Sequence, residues 1–173
     1  MGFRIMRSRQ AGLTTVEVAI SGTVFFLAIF TLIETGRLLW AWETLTEATR
    51  RGARVAAVCP VNHSAIANVM VLNNPSDSGA SAILPGLDTA QVTVEYLDQN
   101  GNVIPNPATC ASWVLIDYVR TRIAGYNHNF VIPAFGAVLP SPPFETTLPR
   151  ESLGKVPGVN YQCYGSVSPN PCP

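Results

Sequence analysis

The chain has 173 residues, about one domain's worth; 47% of them are hydrophobic and only 13% charged, roughly half the charged fraction of an ordinary soluble domain. That much apolar residue excludes a disordered polar chain. Eleven basic and eleven acidic residues leave no net charge to recruit a nucleic acid, and the mean hydropathy of +0.23 with so little charge disfavours a plain cytosolic enzyme and points to a membrane.

All 14 prolines lie at or after Pro60. Proline removes a backbone donor and clashes with the preceding helical turn, so this distribution predicts a long helix followed by a loop-rich β region. Charge divides at the same place. Residues 61–173 carry −3 and the preceding part +3, the latter matched by Arg4, Arg7 and Arg9.

Val18 to Ile33 is a run of 16 uncharged residues, roughly 24 Å long as a helix. Adding Leu13–Val16 extends the apolar reach to about 21 residues, interrupted by Glu17, close to the span needed to cross a bilayer. The three arginines on its N-terminal flank predict a cytoplasmic N-terminus, with the rest of the chain on the far side. A secretory signal peptide would share the basic start and apolar core. Against it, no small-x-small site ends the run, and the helical pattern continues: Leu38, Trp42, Leu45, Ala48, Gly52 and Val55 recur at spacings of three and four. Glu43 and Glu47 precede Arg50, Arg51 and Arg54, placing i,i+3 and i,i+4 pairs along the helix, although a charge run of this kind also serves as a solvated face. One helix over 13–58, half apolar all round and half amphipathic, is the expectation.

Glu17 stands out. An ionised carboxylate at the end of an apolar run costs a few kcal/mol unless paired, and less near the interface than at the midplane. It either snorkels to the headgroups or meets a cation on assembly. Gly12 lies five positions upstream, and cleavage after it would free an α-amine at Leu13 and make Glu17 the fifth mature residue. Glycine before the scissile bond admits a protease to the backbone because it has no Cβ.

Basic leader, Gly12, Leu13-Thr14-Thr15-Val16-Glu17 and an apolar helix together resemble a type IV prepilin signal. Leu32-Ile33-Glu34-Thr35-Gly36-Arg37-Leu38 and Ala48-Thr49-Arg50-Arg51-Gly52-Ala53-Arg54-Val55-Ala56-Ala57 resemble the signatures of TadE-like pilus proteins, over roughly residues 9–58. Val18 stands where major Flp pilins carry Tyr, and Leu13 where type IVa pilins carry Phe; both departures favour a minor pilin or pseudopilin. The resemblance implies a non-catalytic subunit of Tad-type pilus assembly, a prepilin peptidase acting on a leader of residues 1–12, pilin and pseudopilin partners contacted through the helix, and inner-membrane localisation with an extracytoplasmic head. A secretion-system pseudopilin is a near variant. The competing reading is an uncleaved single-pass anchor whose outer domain binds an envelope partner, with Gly12 and Glu17 incidental.

Physically, Glu34 and Arg37 form an i,i+3 pair at the membrane exit that softens the burial of both, or an ordinary interfacial salt bridge. Gly36 and Gly52 admit close helix–helix approach. In the head, 59–173, a short helix over Ala65–Leu72 capped by Ser64 is expected, with a loop over Asn73–Ser81, a strand over Gln91–Leu97 and a turn over Asp98–Asn102. Further strands are expected over Trp113–Ile123, Phe130–Ile132 and Phe144–Leu148, then an irregular Pro/Gly-rich tail from Leu153. The fold class is α+β: a long N-terminal helix packed on a small antiparallel sheet, pilin-like in outline.

Cys59, Cys110, Cys163 and Cys172 all follow the apolar helix, an even number that suggests disulfides with three allowed connectivities. Cys59 with Cys110, and Cys163 with Cys172, is the expected pairing. Cys59, His63 and His128 do not form a metal-ligand spacing, and neither a nucleophile motif nor a phosphate loop is present, so no metal, cofactor or catalytic group is expected.

Overall fold

A computed structural model describes residues 11–77, 79–131, 138–155, 162–164 and 166–167. Helix α1 runs unbroken over Ala11–Val58, 48 residues and about 70 Å. Nothing in its sequence breaks it. The hydroxyls of Thr23, Thr31 and Thr35 each donate to the carbonyl four residues back, at 2.8 Å, so these polar side chains are satisfied within the helix itself. Val18, Ile20, Phe25, Phe26, Phe30 and Leu32 are exposed all round.

From Ala41 onward α1 has an inner face: Ala41, Leu45, Ala48, Thr49, Ala53 and Ala56 are buried, with Leu38, Trp42 and Val55 partly so. The expected stripe is therefore right in phase and broader than the six residues that mark it. Pro60 then stops the helix, since it has no N–H to continue the ladder.

Helix α2 covers Ser64–Met70. Its cap is His63 rather than Ser64: Nδ1 of His63 accepts the Ala65 N–H at 3.1 Å. Met70 lies over Gly52 of α1, where any Cβ would overlap the methionine side chain. The loop over residues 71–88 returns Leu84 and Leu87 to the core.

Strands β1 (Val92–Leu97), β2 (Tyr118–Ile123) and β5 (Phe144–Pro149) form an antiparallel sheet with β2 in the middle. The register aligns Tyr96 with Val119 and Leu148, and Val94 with Thr121 and Thr146. Those rows face α1. The alternate row puts Glu95 opposite Arg120, which meet at 2.6 Å on the outer face. The inner contact with α1 is partly polar: Thr121 Oγ1 donates to the Thr49 carbonyl at 2.9 Å, and the Thr49 and Thr146 hydroxyls meet at 3.0 Å.

The turn after β1 is held by Asp98, whose Oδ1 accepts the N–H groups of Asn100 and Asn102 at 2.9 and 2.8 Å, with Gly101 at φ +82°. Three further expectations need correction. The strand expected from Trp113 begins at Tyr118; Cys110–Trp113 is instead a short helix, α3, capped by the Thr109 hydroxyl. The apolar run Trp-Val-Leu-Ile is a turn that buries Ile116 and exposes Val114 and Leu115, the ambiguity to which short apolar runs are prone. The strand expected over Phe130–Ile132 lies one turn earlier, as β3 (Asn127–Asn129) paired with β4 (Val138–Pro140). Burial of His128 overrides the poor strand propensity of the flanking asparagines; Ile132 lies outside the described residues.

The third correction concerns the cysteines. Cys59 is bonded to Cys163, 104 residues away, with Cα atoms 5.2 Å apart, not to Cys110. Residues 151–154 wrap the end of α1: the N–H groups of Glu151 and Leu153 donate to the Ala57 carbonyl at 3.1 and 3.2 Å, and the Ser152 hydroxyl donates to the Val58 carbonyl at 3.1 Å. Terminal carbonyls that would lack intrahelical partners are thus satisfied by the head, and this wrap brings the tail strands β6 (Gln162–Cys163) and β7 (Ser166–Val167) beside Cys59. Cys110 is also disulfide-bonded; Cys172 lies outside the described residues.

Candidate functional site

Gly12 and Leu13 fall in the first turn of α1. The leader arginines Arg4, Arg7 and Arg9 lie outside the described residues. One turn on, Glu17 is exposed beside Val18, Ser21, Gly22 and Phe25, which together line a shallow apolar groove. Among the described residues Glu17 has neither a hydrogen bond nor an ion pair. A second groove on the same helix is lined by Gly22, Phe26, Leu27 and Phe30. The small side at Gly22 beside large phenylalanines gives the helix surface steps into which a second helix can fit. The window of highest hydropathy averages 2.2 with none of it buried, and α1 is long and apolar enough to cross a membrane.

Where the apolar run ends, Glu34 and Arg37 do meet. Arg37 Nη1 donates to both carboxylate oxygens at 3.0 and 2.9 Å. Glu34 is only 3% exposed and Arg37 43%. The surprise is a partner from the head: the Val131 N–H, just past β3, donates to Glu34 Oε1 at 3.1 Å. Glu34 therefore ties the head to the helix where the apolar run ends, a role that spacing within one helix does not reveal, because its partner is a backbone group 97 positions away.

His128 sits against this junction, 4% exposed and edge-on to Phe130 at 5.3 Å. Its burial, and then the Arg37 charge, hold the imidazole below its ordinary range, with Glu34 partly opposing. Tyr126 is pushed up by burial and donates to the Pro85 carbonyl at 3.4 Å.

The residues weighed as metal ligands have other uses: His63 caps α2 and Cys59 is in a disulfide. Of the basic run, Arg51 bonds Glu47 at 3.0 Å on the exposed face, and that hydrogen bond holds the Glu47 carboxyl below the usual range. An exposed pair of this kind adds little stability. Arg50 and Arg54 are solvated.

The arrangement is that of a small α+β head carried on one helix whose first half is uncovered and apolar. Residues 12–54 match the family model described as TadE-like protein. Over that segment the chain is similar to TadE-like proteins. No curated protein and no solved structure matches the chain.

Proposed function

We propose that the chain is a minor pilin or pseudopilin of Tad-type pilus assembly, a structural and non-catalytic subunit held in the inner membrane by α1 with its head outside the cytoplasm. The observation that carries this reading is the coincidence of the TadE-like segment with a helix that is bare and apolar for its first half and packed for its second. A prepilin peptidase cuts between Gly12 and Leu13. The new α-amine of one subunit neutralises Glu17 of its neighbour as the apolar helices bundle, and the grooves at Gly22 take the neighbour's side chains.

The test is the N-terminal sequence of the membrane-extracted protein with and without a prepilin peptidase. A peptidase-dependent start at Leu13 supports the reading. An unprocessed terminus under both conditions leaves an anchored envelope protein in its place. Glu17→Ala is expected to abolish assembly, read as surface pili by electron microscopy, while the near-ultraviolet circular dichroism of the purified protein stays unchanged.

A further inference from the structure

Beside the Glu34–Arg37 junction lies a cavity of about 250 Å³, lined by Arg37, Trp40 and Ala41 of α1 and by Tyr126, His128 and Asn129 of the head. Its depth is set by the helix. Arg37 is four residues past Ile33, the last of the uncharged run, so it stands about 6 Å beyond the apolar segment, and Trp40 about 10 Å beyond it. The polar layer of a bilayer is itself roughly 5–8 Å thick on each side. With α1 across the membrane, the Arg37 end of the cavity lies at headgroup level and Trp40 at its outer edge.

Its chemistry suits a phosphate. Arg37 spends only Nη1 on Glu34, and its Nε and Nη2 donors have no partner among the described residues. A guanidinium can hold a carboxylate on one edge and a phosphate on another, because its five N–H donors are fixed in a planar fork. The His128 Nε2 is buried without a hydrogen-bond partner in the same wall. Trp40, 52% exposed, has the apolar body and polar tip that favour the membrane interface. Below the opening, Phe30 and Ile33 are bare to receive acyl chains.

We infer that this cavity is a phospholipid site, in which Arg37 binds the headgroup phosphate and Trp40, Tyr126 and β3 enclose it. The inference rests on the membrane-spanning reading of α1 and is independent of cleavage or pilus assembly.

The experiment is native mass spectrometry of the full chain, released from a sugar detergent after reconstitution in nanodiscs. One set holds phosphatidylethanolamine with phosphatidylglycerol, the other a phosphate-free galactolipid. One retained phospholipid per chain, and no retained galactolipid, is the expected result. Arg37→Gln is expected to reduce retention roughly tenfold or more, the scale of one charge-assisted hydrogen bond. Asn129→Trp fills the cavity while leaving both members of the ion pair in place and is expected to do the same, which covers the case in which Arg37→Gln disturbs the junction. Equal retention of galactolipid, or undiminished retention in both variants, overturns the site. Inorganic phosphate that displaces the adduct would assign the pocket to a free anion and overturn the lipid. A chain that leaves the membrane fraction without detergent would refute the spanning premise, an outcome separate from failure of the pocket.

Discussion

Glu34 holds two donors at once, the Arg37 guanidinium and the Val131 N–H, from a position almost closed to water. Glu34→Ala removes the shared acceptor, and a hydrogen bond to a charged group contributes about 1.5–3 kcal/mol. The expected outcome is local: amide exchange at Val131 accelerates by roughly tenfold to a hundredfold while exchange in β2 is unchanged, read by mass spectrometry in detergent. His128 gives a pH signature of known sign. In the folded head its pKa lies below the ordinary 6.5, lowered by burial first and Arg37 second. As pH falls below that ordinary value the unfolded chain takes up a proton that the folded one refuses, so stability is full above pH 6.5 and declines on acidification toward the folded pKa. Melting temperatures followed downward from neutral pH are expected to fall less steeply for His128→Phe than for the native chain. At the alkaline end Tyr96, pushed up to about 12 by burial, keeps its proton while accepting the Asn62 N–H.

At the scale of elements, the contact between α1 and α2 depends on an absent side chain. Gly52 leaves the space that Met70 fills, so Gly52→Ala overpacks the site and is expected to destabilise by about 1–3 kcal/mol. Met70→Ala opens a cavity on its own, yet combined with Gly52→Ala it is expected to restore part of the loss; a double-mutant cycle by chemical denaturation measures that coupling. Elements whose burial repeats along the chain were readable in the sequence. The stripe on α1 and the alternation of Val92, Val94 and Tyr96 announce a helix and a strand because side-chain geometry alone sets their periods. Cys110–Trp113 and Asn127–Asn129 were not readable, since a four-residue turn and a three-residue strand are decided by what packs on them. Glu17, Glu34 and Arg37 could be singled out by the strangeness of charge beside an apolar run. The Val131 contact could not, because no local rule joins positions so far apart.

For the molecule as a whole, the Cys59–Cys163 bond closes the largest loop that the described residues contain a bridge for, enclosing nearly all of the head. A link across about 100 residues is worth roughly 4–5 kcal/mol in the chain-entropy account. Cys163→Ser is accordingly expected to lower the thermal midpoint of the head substantially, by calorimetry, while leaving the helicity of α1 intact. The bond sits where residues 151–154 already grip the last carbonyls of α1, and Glu34 grips the same helix at the other end of the head. The head is thus clamped to α1 at two points about 36 Å apart along its axis, with no proline between them or below them. Such a helix works as a drive shaft. A quarter-turn imposed on its bare lower half must swing the whole head through the same angle, so whatever packs around the apolar segment also aims the outer surface.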